Sequence, residues 1–367
     1  MRTSTFARNA SGLALVVLLA GCSGGNSQAP ALSGAANSLA ASGSANSLAG
    51  SGSARLLAPS ASAKLLALSG PANLLGEKFS PSTSHGFMQP LAAKDDVLYM
   101  SSWGTESVVD VMTLSGELVG QITNGLAVPE GIFVDSGHNL WVANLNNVLV
   151  FPKGGLTATA TLTDSVGDPA DVTVCANGTA YVADLYDNSN SNSASVQIYP
   201  PGSTSPSGSL TYPNDFRNGF LTCDAAGNVF VAILTGDYIG DGRVIEFPLG
   251  QESGAKDLGI TIQDPGGIRP DNAGNLLVTD LVANTITEYT ESGSPTGNSI
   301  ATGAPIFGIA LSRDGKTVLG ASPNGPNGVT WSFPKGRQKR TYTCCSRIGP
   351  PLQEIYGVAF DPGQAGI

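Results

Sequence analysis

PEGIFVDSGHNLWVAN, residues 129–144, decides how this chain folds, because the same phrase keeps returning. It reads PADVTVCANGTAYVAD at 169–184 and PGGIRPDNAGNLLVTD at 265–280. Looser copies stand at 218–232 (NGFLTCDAAGNVFVA) and 305–321 (PIFGIALSRDGKTVLGA), and a half-copy, IYGVAFDP, at 355–362. Each full copy reads as two short strands about a turn. In the first, Ile132 and Val134 alternate with Gly131 and Phe133, residues 135–139 supply turn chemistry, and 140–143 form the second strand. A third strand ends on an aromatic residue and a proline: NVLVFP (147–152), VQIYPP (196–201), RVIEFP (243–248) and VTWSFP (329–334). Proline cannot donate to a ladder, so it suits a strand's end. A weaker outer strand, as at 158–162 or 118–122, completes a set of four.

Aligning Asp135, Cys175, Asp224, Asp271, Ser312 and Asp361 gives spacings of 40, 49, 47, 41 and 49 residues, the period of propeller blades. A four-stranded blade cannot bury both faces alone, so blades must stack around an axis. Five full repeats span about 128–340, and the stretch 97–122 before them supplies a second, a third and an outer strand (VLYMSS, SVVDVM, LVGQI). Its own first strand, around 88–93, is poor: Pro90 interrupts it and Lys94, Asp95 and Asp96 crowd the turn. The orphan strand at 355–360 has nothing after it, and placing it inside the first blade closes a ring of six and removes the open edge. The predicted fold is therefore all-β: a six-bladed β-propeller of four-stranded antiparallel blades over 79–367, closed by the C-terminal strand.

The alternation P-x-G-(I/V)-x-(V/F)-D-x-x-G-N-L-(Y/W)-V-(A/T)-(D/N), followed by a V-x-x-(Y/F) strand, resembles the NHL repeat. It is similar, too, to the wider group of six-bladed propellers that includes gluconolactonase-like and strictosidine-synthase-like proteins. The match covers about residues 88–362. Such repeats specify blade geometry and leave the chemistry open, since one fold hosts scaffolds and several enzyme classes.

At the N-terminus, Arg2 and Arg8 precede an apolar run, 13–20, too short to span a bilayer, and Leu19-Ala20-Gly21-Cys22 follows. That order resembles a bacterial lipobox. The resemblance implies a signal peptide over 1–21, acylation of Cys22 and attachment to the membrane, and Ser23 resembles the outer-membrane sorting pattern. The expected location is the bacterial cell envelope, lipid-anchored at the outer membrane and facing the periplasm or the surface. Residues 22–78 then form a low-complexity Ser/Gly/Ala/Leu tether without an aromatic residue, a composition that builds no packed core. As a flexible coil its ends would lie about 40 Å apart.

Charged residues make up only 13% of the chain, with 47 glycines and 23 prolines, a composition of short strands and tight turns. Loss of Arg2 and Arg8 with the leader leaves 16 basic against 28 acidic residues. That balance disfavours nucleic acid as a partner, and anionic membrane surfaces with it. One basic patch, Lys335, Arg337, Lys339, Arg340 and Arg347, stands on a hairpin of the last blade. Beyond Cys22, Cys175, Cys223, Cys344 and Cys345 allow three pairings. Cys175 and Cys223 share a repeat position in neighbouring blades, and an oxidising envelope permits a bond between them.

Catalytic motifs are sparse. The two histidines, His85 and His138, have no repeat-equivalent partner, and no G-x-S-x-G or phosphate loop is present. What remains is a ring of acids and amides. Residues that start first strands (Glu130, Asp171, Asp215) and end second strands (Asn144, Asp184, Asp280) are expected on one propeller face, at the channel mouth. There they either converge on a hard divalent cation such as calcium or cap turns. Gluconolactonase-like enzymes are similar in using a Glu, Asn and Asp set at that mouth. A second, weaker calcium pattern is Asp237 and Asp241 in the glycine-spaced loop 236–242. Two functions follow: an envelope-anchored, non-catalytic module binding a protein, peptide or glycan, or a divalent-metal-dependent, lactonase-like hydrolase of the periplasm.

Overall fold

The computed structural model describes residues 86–102, 107–188, 193–215, 217–235, 240–323, 328–342 and 355–361. Six antiparallel sheets form six blades, and each inner strand packs against the inner strand of the next blade until the ring closes. The inner strands are Ile355–Asp361 for blade one, then Pro129–Val134, Gly167–Val174, Arg217–Cys223, Pro265–Pro270 and Ile309–Leu311.

Blade one shows how the ring closes. Its inner strand comes from the far end of the chain and pairs with Val97–Ser102, setting Val97 opposite Asp361 and Leu98 opposite Phe360. Outside that pair lie Val108–Thr113 and Leu118–Ile122. The segment before this blade, a poor first strand by sequence, is instead a fifth, outermost strand: Phe87 and Met88 pair with Gln121 and Gly120. Pro90 then opens a 3₁₀ turn, Pro90–Ala93, where its missing N–H costs nothing.

The inner strands are buried on both faces, as their near-continuous burial shows, while outer strands such as Pro295–Ala301 and Gln338–Tyr342 are largely exposed. In blade five, Leu276 and Val278 pack toward blade four while Leu277 packs toward Val318 and Trp331 of blade six. Phe133 meets Val172 and Val182 between blades two and three, and Leu98 and Phe360 meet Ala310 and Leu319 where blade six returns to blade one. Near the axis the inner strands crowd. A Cβ on Gly357 would lie 2.5 Å from the Glu130 carbonyl oxygen, and one on Gly131 would overlap the Asp171 carboxylate. Cys175 and Cys223, at the ends of the inner strands of blades three and four, are joined by a disulfide with a Cα–Cα distance of 5.7 Å.

Blades one to five share one irregularity, which in blade one falls between Met100 and Ser102. In the other four the register of the inner strand against the second strand slips at Pro129/Ile132, Ala183/Asp184, Asn218/Leu221 and Pro265/Ile268. Bulges of this kind re-aim side chains, and they fall where the inner and second strands meet near the axial mouth.

Candidate functional site

The mouth is stoppered by aromatic rings. Tyr356 of blade one stacks on Phe220 of blade four at 5.3 Å and packs tilted against Phe307 at 5.4 Å, contacts that add to the area the rings bury. The Tyr356 phenol hydrogen-bonds the Glu130 carboxyl. Burial, then the neighbouring Asp168, push the Glu130 carboxyl well above the usual carboxylate range, against that hydrogen bond. Asp168 is pushed up to about 7 by burial and then by Asp164.

Two arginines compensate the acids. Arg269 of blade five sets Nη1 3.4 Å from Asp171 Oδ2 and donates to the Leu221 carbonyl at 2.8 Å. Burial raises the Asp171 carboxyl to about 6, opposed by that guanidinium and by the Leu221 N–H. Arg217 Nη2 lies 3.1 Å from Asp264 Oδ1. All four side chains are buried.

The six mouth residues named from sequence separate into three groups. Glu130 and Asp171 do reach the axis, side by side with Asp168. Asp184 and Asp215 are buried in a chain of acids leading outward: Asp184 lies against Asp164 and accepts from Gln197 at 3.0 Å, and Asp215 faces Asp187. Desolvation raises both carboxyls well above the usual range. Asn144 and Asp280 cap turns. Asn144 Oδ1 accepts from the Ala127 and Val128 amides at 2.7 and 3.3 Å. Asp280 accepts from the Val282, Ala283 and Gln263 amides, each at 3.0 Å.

Among the described residues no group of three or more His, Cys, Asp or Glu side chains is arranged to hold a metal ion. Of the donors expected to converge on calcium, Asn144 and Asp280 cap amides, Asp171 faces Arg269, Glu130 accepts from Tyr356, Asp184 accepts from Gln197 and Asp215 faces Asp187. Asp241 is exposed, with its carbonyl accepting from Thr235. Asp237, Cys22, Cys344, Cys345, His85, Arg347 and the tether lie outside the described residues.

Asp164, Asp168, Arg217, Arg269 and Tyr356 were not legible as site residues. Arg269 had a signal: its repeat position is Phe133, Thr173, Thr222, Ala310 and Ala359 in the other blades, so a charge there marks a specific partner. The second histidine belongs to the opposite end of the propeller. His138 Nδ1 lies 2.5 Å from Asp361 Oδ1, and Lys153 Nζ lies 3.1 Å from Asp361 Oδ2. Both tie blade two to the closing strand.

That opposite end also holds a cleft of about 620 Å³ between blades two and three. Trp141, Tyr199, Pro200 and Pro201 supply apolar wall, and Asp135 and His138 supply polar rim. The Trp141 indole is half-buried, and its N–H donates to Asp135 Oδ2 at 2.8 Å. Asp135 is fixed in turn by the Gly137 and Asn139 amides at 2.8 and 2.9 Å. The ring is thus held in place before any ligand arrives. Volume and lining fall within the ordinary range of small-ligand or peptide sites.

No protein-family model and no curated protein sequence matches the chain. Solved structures do match in shape. One is a chain of a nidogen/laminin complex, 12% identical, with a TM-score of 0.59 over 72% of this chain and 98% of that one. Another is a protein of unknown function from Bacteroides caccae, 12% identical, with a TM-score of 0.53 over 73% and 99% of the two chains. A third is regucalcin, a calcium-binding protein from Agrobacterium tumefaciens, 12% identical, covering 59% and 74%, whose TM-score of 0.46 carries no argument. At such identities the likeness is one of fold alone, and the fold is the six-bladed β-propeller.

Proposed function

We propose that the protein is a membrane-tethered binding module. Residues 1–21 are its signal peptide, an acylated Cys22 its anchor in the outer membrane, 22–78 its tether and 79–367 the propeller that engages a protein, peptide or glycan segment. The observation that carries the binding reading is the cleft of about 620 Å³ with its pre-set Trp141, at the end away from a mouth filled by Tyr356, Phe220 and Phe307. The lactonase-like alternative needs the mouth oxygens on one cation, whereas Asn144 and Asp280 are committed to backbone amides.

Arrays of glycans and envelope peptides, read by Trp141 fluorescence, test this reading. Binding that quenches the indole and is lost in Trp141→Ala supports the cleft. Binding or lactone hydrolysis that survives Trp141→Ala but is lost in Asp171→Asn would move the site to the mouth and restore the enzyme reading. Radiolabelled lipid incorporated by the wild type and not by Cys22→Ala tests the anchor.

A further inference from the structure

Blade six is charged unlike the rest of the molecule. Between residues 313 and 340 it carries Arg313, Lys316, Lys335, Arg337, Lys339 and Arg340 against one acid, Asp314, in a chain with 28 acidic and 18 basic residues. The turns of blades two, four and five open on Asp135, Asp224 and Asp271, whose carboxylates accept the turn amides. Blade six has Ser312 in that place, and its hydroxyl does the capping, accepting from the Thr317 amide at 3.0 Å. The turn keeps its form, and its opening residue no longer carries a carboxylate.

All six cations are exposed. Elsewhere Lys153, Arg217, Arg243, Lys256 and Arg269 each pair with a carboxylate. Among the described residues none of the six on blade six has a carboxylate within 4.0 Å. They sit on the two turns at the end away from the mouth and on the outer strand Gln338–Tyr342. Lys339 is laid over Lys316, with Nζ 2.8 Å from Thr317 Oγ1 and 3.4 Å from the Lys316 carbonyl. Arg340 donates to the Ser115 carbonyl of blade one, and the Tyr342 hydroxyl to the Leu114 carbonyl at 3.1 Å. The Leu114 side chain stands 46% exposed at that border, one of two large hydrophobic residues so exposed among the described residues.

The geometry points to a docking surface for anionic, phosphate-bearing lipid headgroups, with the blade-six cations on the phosphates and Leu114 entering the acyl boundary. Clusters of four to eight Lys and Arg beside a membrane act in this way. The exposed leucine decides for a lipid surface over a soluble polyanion, since apolar insertion beside basic residues is what an interface rewards. The net negative charge of the chain opposes adsorption of the whole molecule, but at physiological salt charge acts over only about 8 Å, so the patch works when blade six faces the bilayer. A lipid-anchored tether would hold the bilayer at high effective concentration. That concentration, though not the contacts, rests on the anchoring proposed above.

The test uses the chain from position 22 on with Cys22→Ala, so that no acyl chain contributes, and sediments it with vesicles of phosphatidylglycerol and phosphatidylethanolamine. Binding at low salt is expected, with release at high salt and none to phosphatidylcholine. Lys335→Glu, Arg337→Glu and Lys339→Glu together should weaken partitioning roughly a hundredfold, with an unchanged circular dichroism spectrum and an unchanged cleft ligand. Leu114→Ser should weaken vesicle binding and leave retention on dextran sulfate as it was. Equal sedimentation of the parent and the triple variant overturns the proposal, as does failure of the parent to bind at low salt. Retention on dextran sulfate without vesicle binding overturns the lipid assignment. Loss of cleft binding with vesicle binding intact would count against the binding-module reading alone.

Discussion

Arg269 and Asp171 sit two blades apart, and their side chains meet at 3.4 Å across the inner strand of blade four, whose Leu221 carbonyl also accepts from the guanidinium. One arginine therefore ties three blades at the axis. Breaking a buried pair by removing one partner costs about 3–5 kcal/mol, because the other charge is stranded. Arg269→Met should lower stability by that amount at pH 8. At pH 5, where the stranded Asp171 is protonated, the loss should be smaller. Urea unfolding at both values checks the difference, and equal losses would show that the arginine acts by packing alone.

The buried acids make a prediction of opposite sense to ordinary acid denaturation. Glu130, Asp168, Asp171, Asp184 and Asp215 all have folded-state pKa values raised first by desolvation. Between the unfolded and the folded value the folded chain holds more protons, so stability rises as pH falls through that window. Asp168 at about 7 and Asp171 at about 6, against an unperturbed 3.8, place it between about pH 7 and pH 4. The melting temperature should be higher at pH 5 than at pH 8. The reverse order would mean that a bound cation, rather than protons, neutralises these groups.

The Cys175–Cys223 bond closes a 48-residue separation between blades three and four. Its replacement by two alanines should cost roughly 2–5 kcal/mol. Calorimetry of the double variant, with and without reductant, checks this: reductant should shift the parent and leave the variant unmoved.

Asp361 is fully buried, with Lys153 and His138 on its two oxygens. Asp361→Ala should destabilise by about 3 kcal/mol, since Lys153 is left half-buried without a partner. Gly357→Ala should act on the same strand by a different route. Its methyl would meet the Glu130 carbonyl at 2.5 Å and the Ile132 nitrogen at 2.8 Å, for a loss of about 1–3 kcal/mol by overpacking. Proteolysis beginning at the edge of blade one would report either loss.

The ring was legible because each repeat carries its own turn and its own third-strand proline, and because 355–360 had no partner of its own. The site was only half legible. Glu130 and Asp171 start inner strands and do reach the axis, but Asn144 and Asp280, equally placed in the repeat, spend their oxygens on amides. A strand-end Asp or Asn has the same chemistry in either role, and which role it takes depends on amides brought up by the tertiary fold. The Arg269–Asp171 pair spans 98 positions, beyond any local pattern. The cleft is built from strands and turns of blades two and three with Arg313 of blade six, which meet only after the ring has formed.

Blade one also sets the order of events in the life of a nascent chain. Ser101 and Gly357 share hydrogen bonds though 256 positions apart, so the earliest blade waits for the latest strand. While the chain is still being synthesised, the outer strands of blade one have emerged and their inner partner has not. The ring cannot lock around its axis until that last strand is free, and its pairing with Val97–Ser102 is the step that closes the assembly.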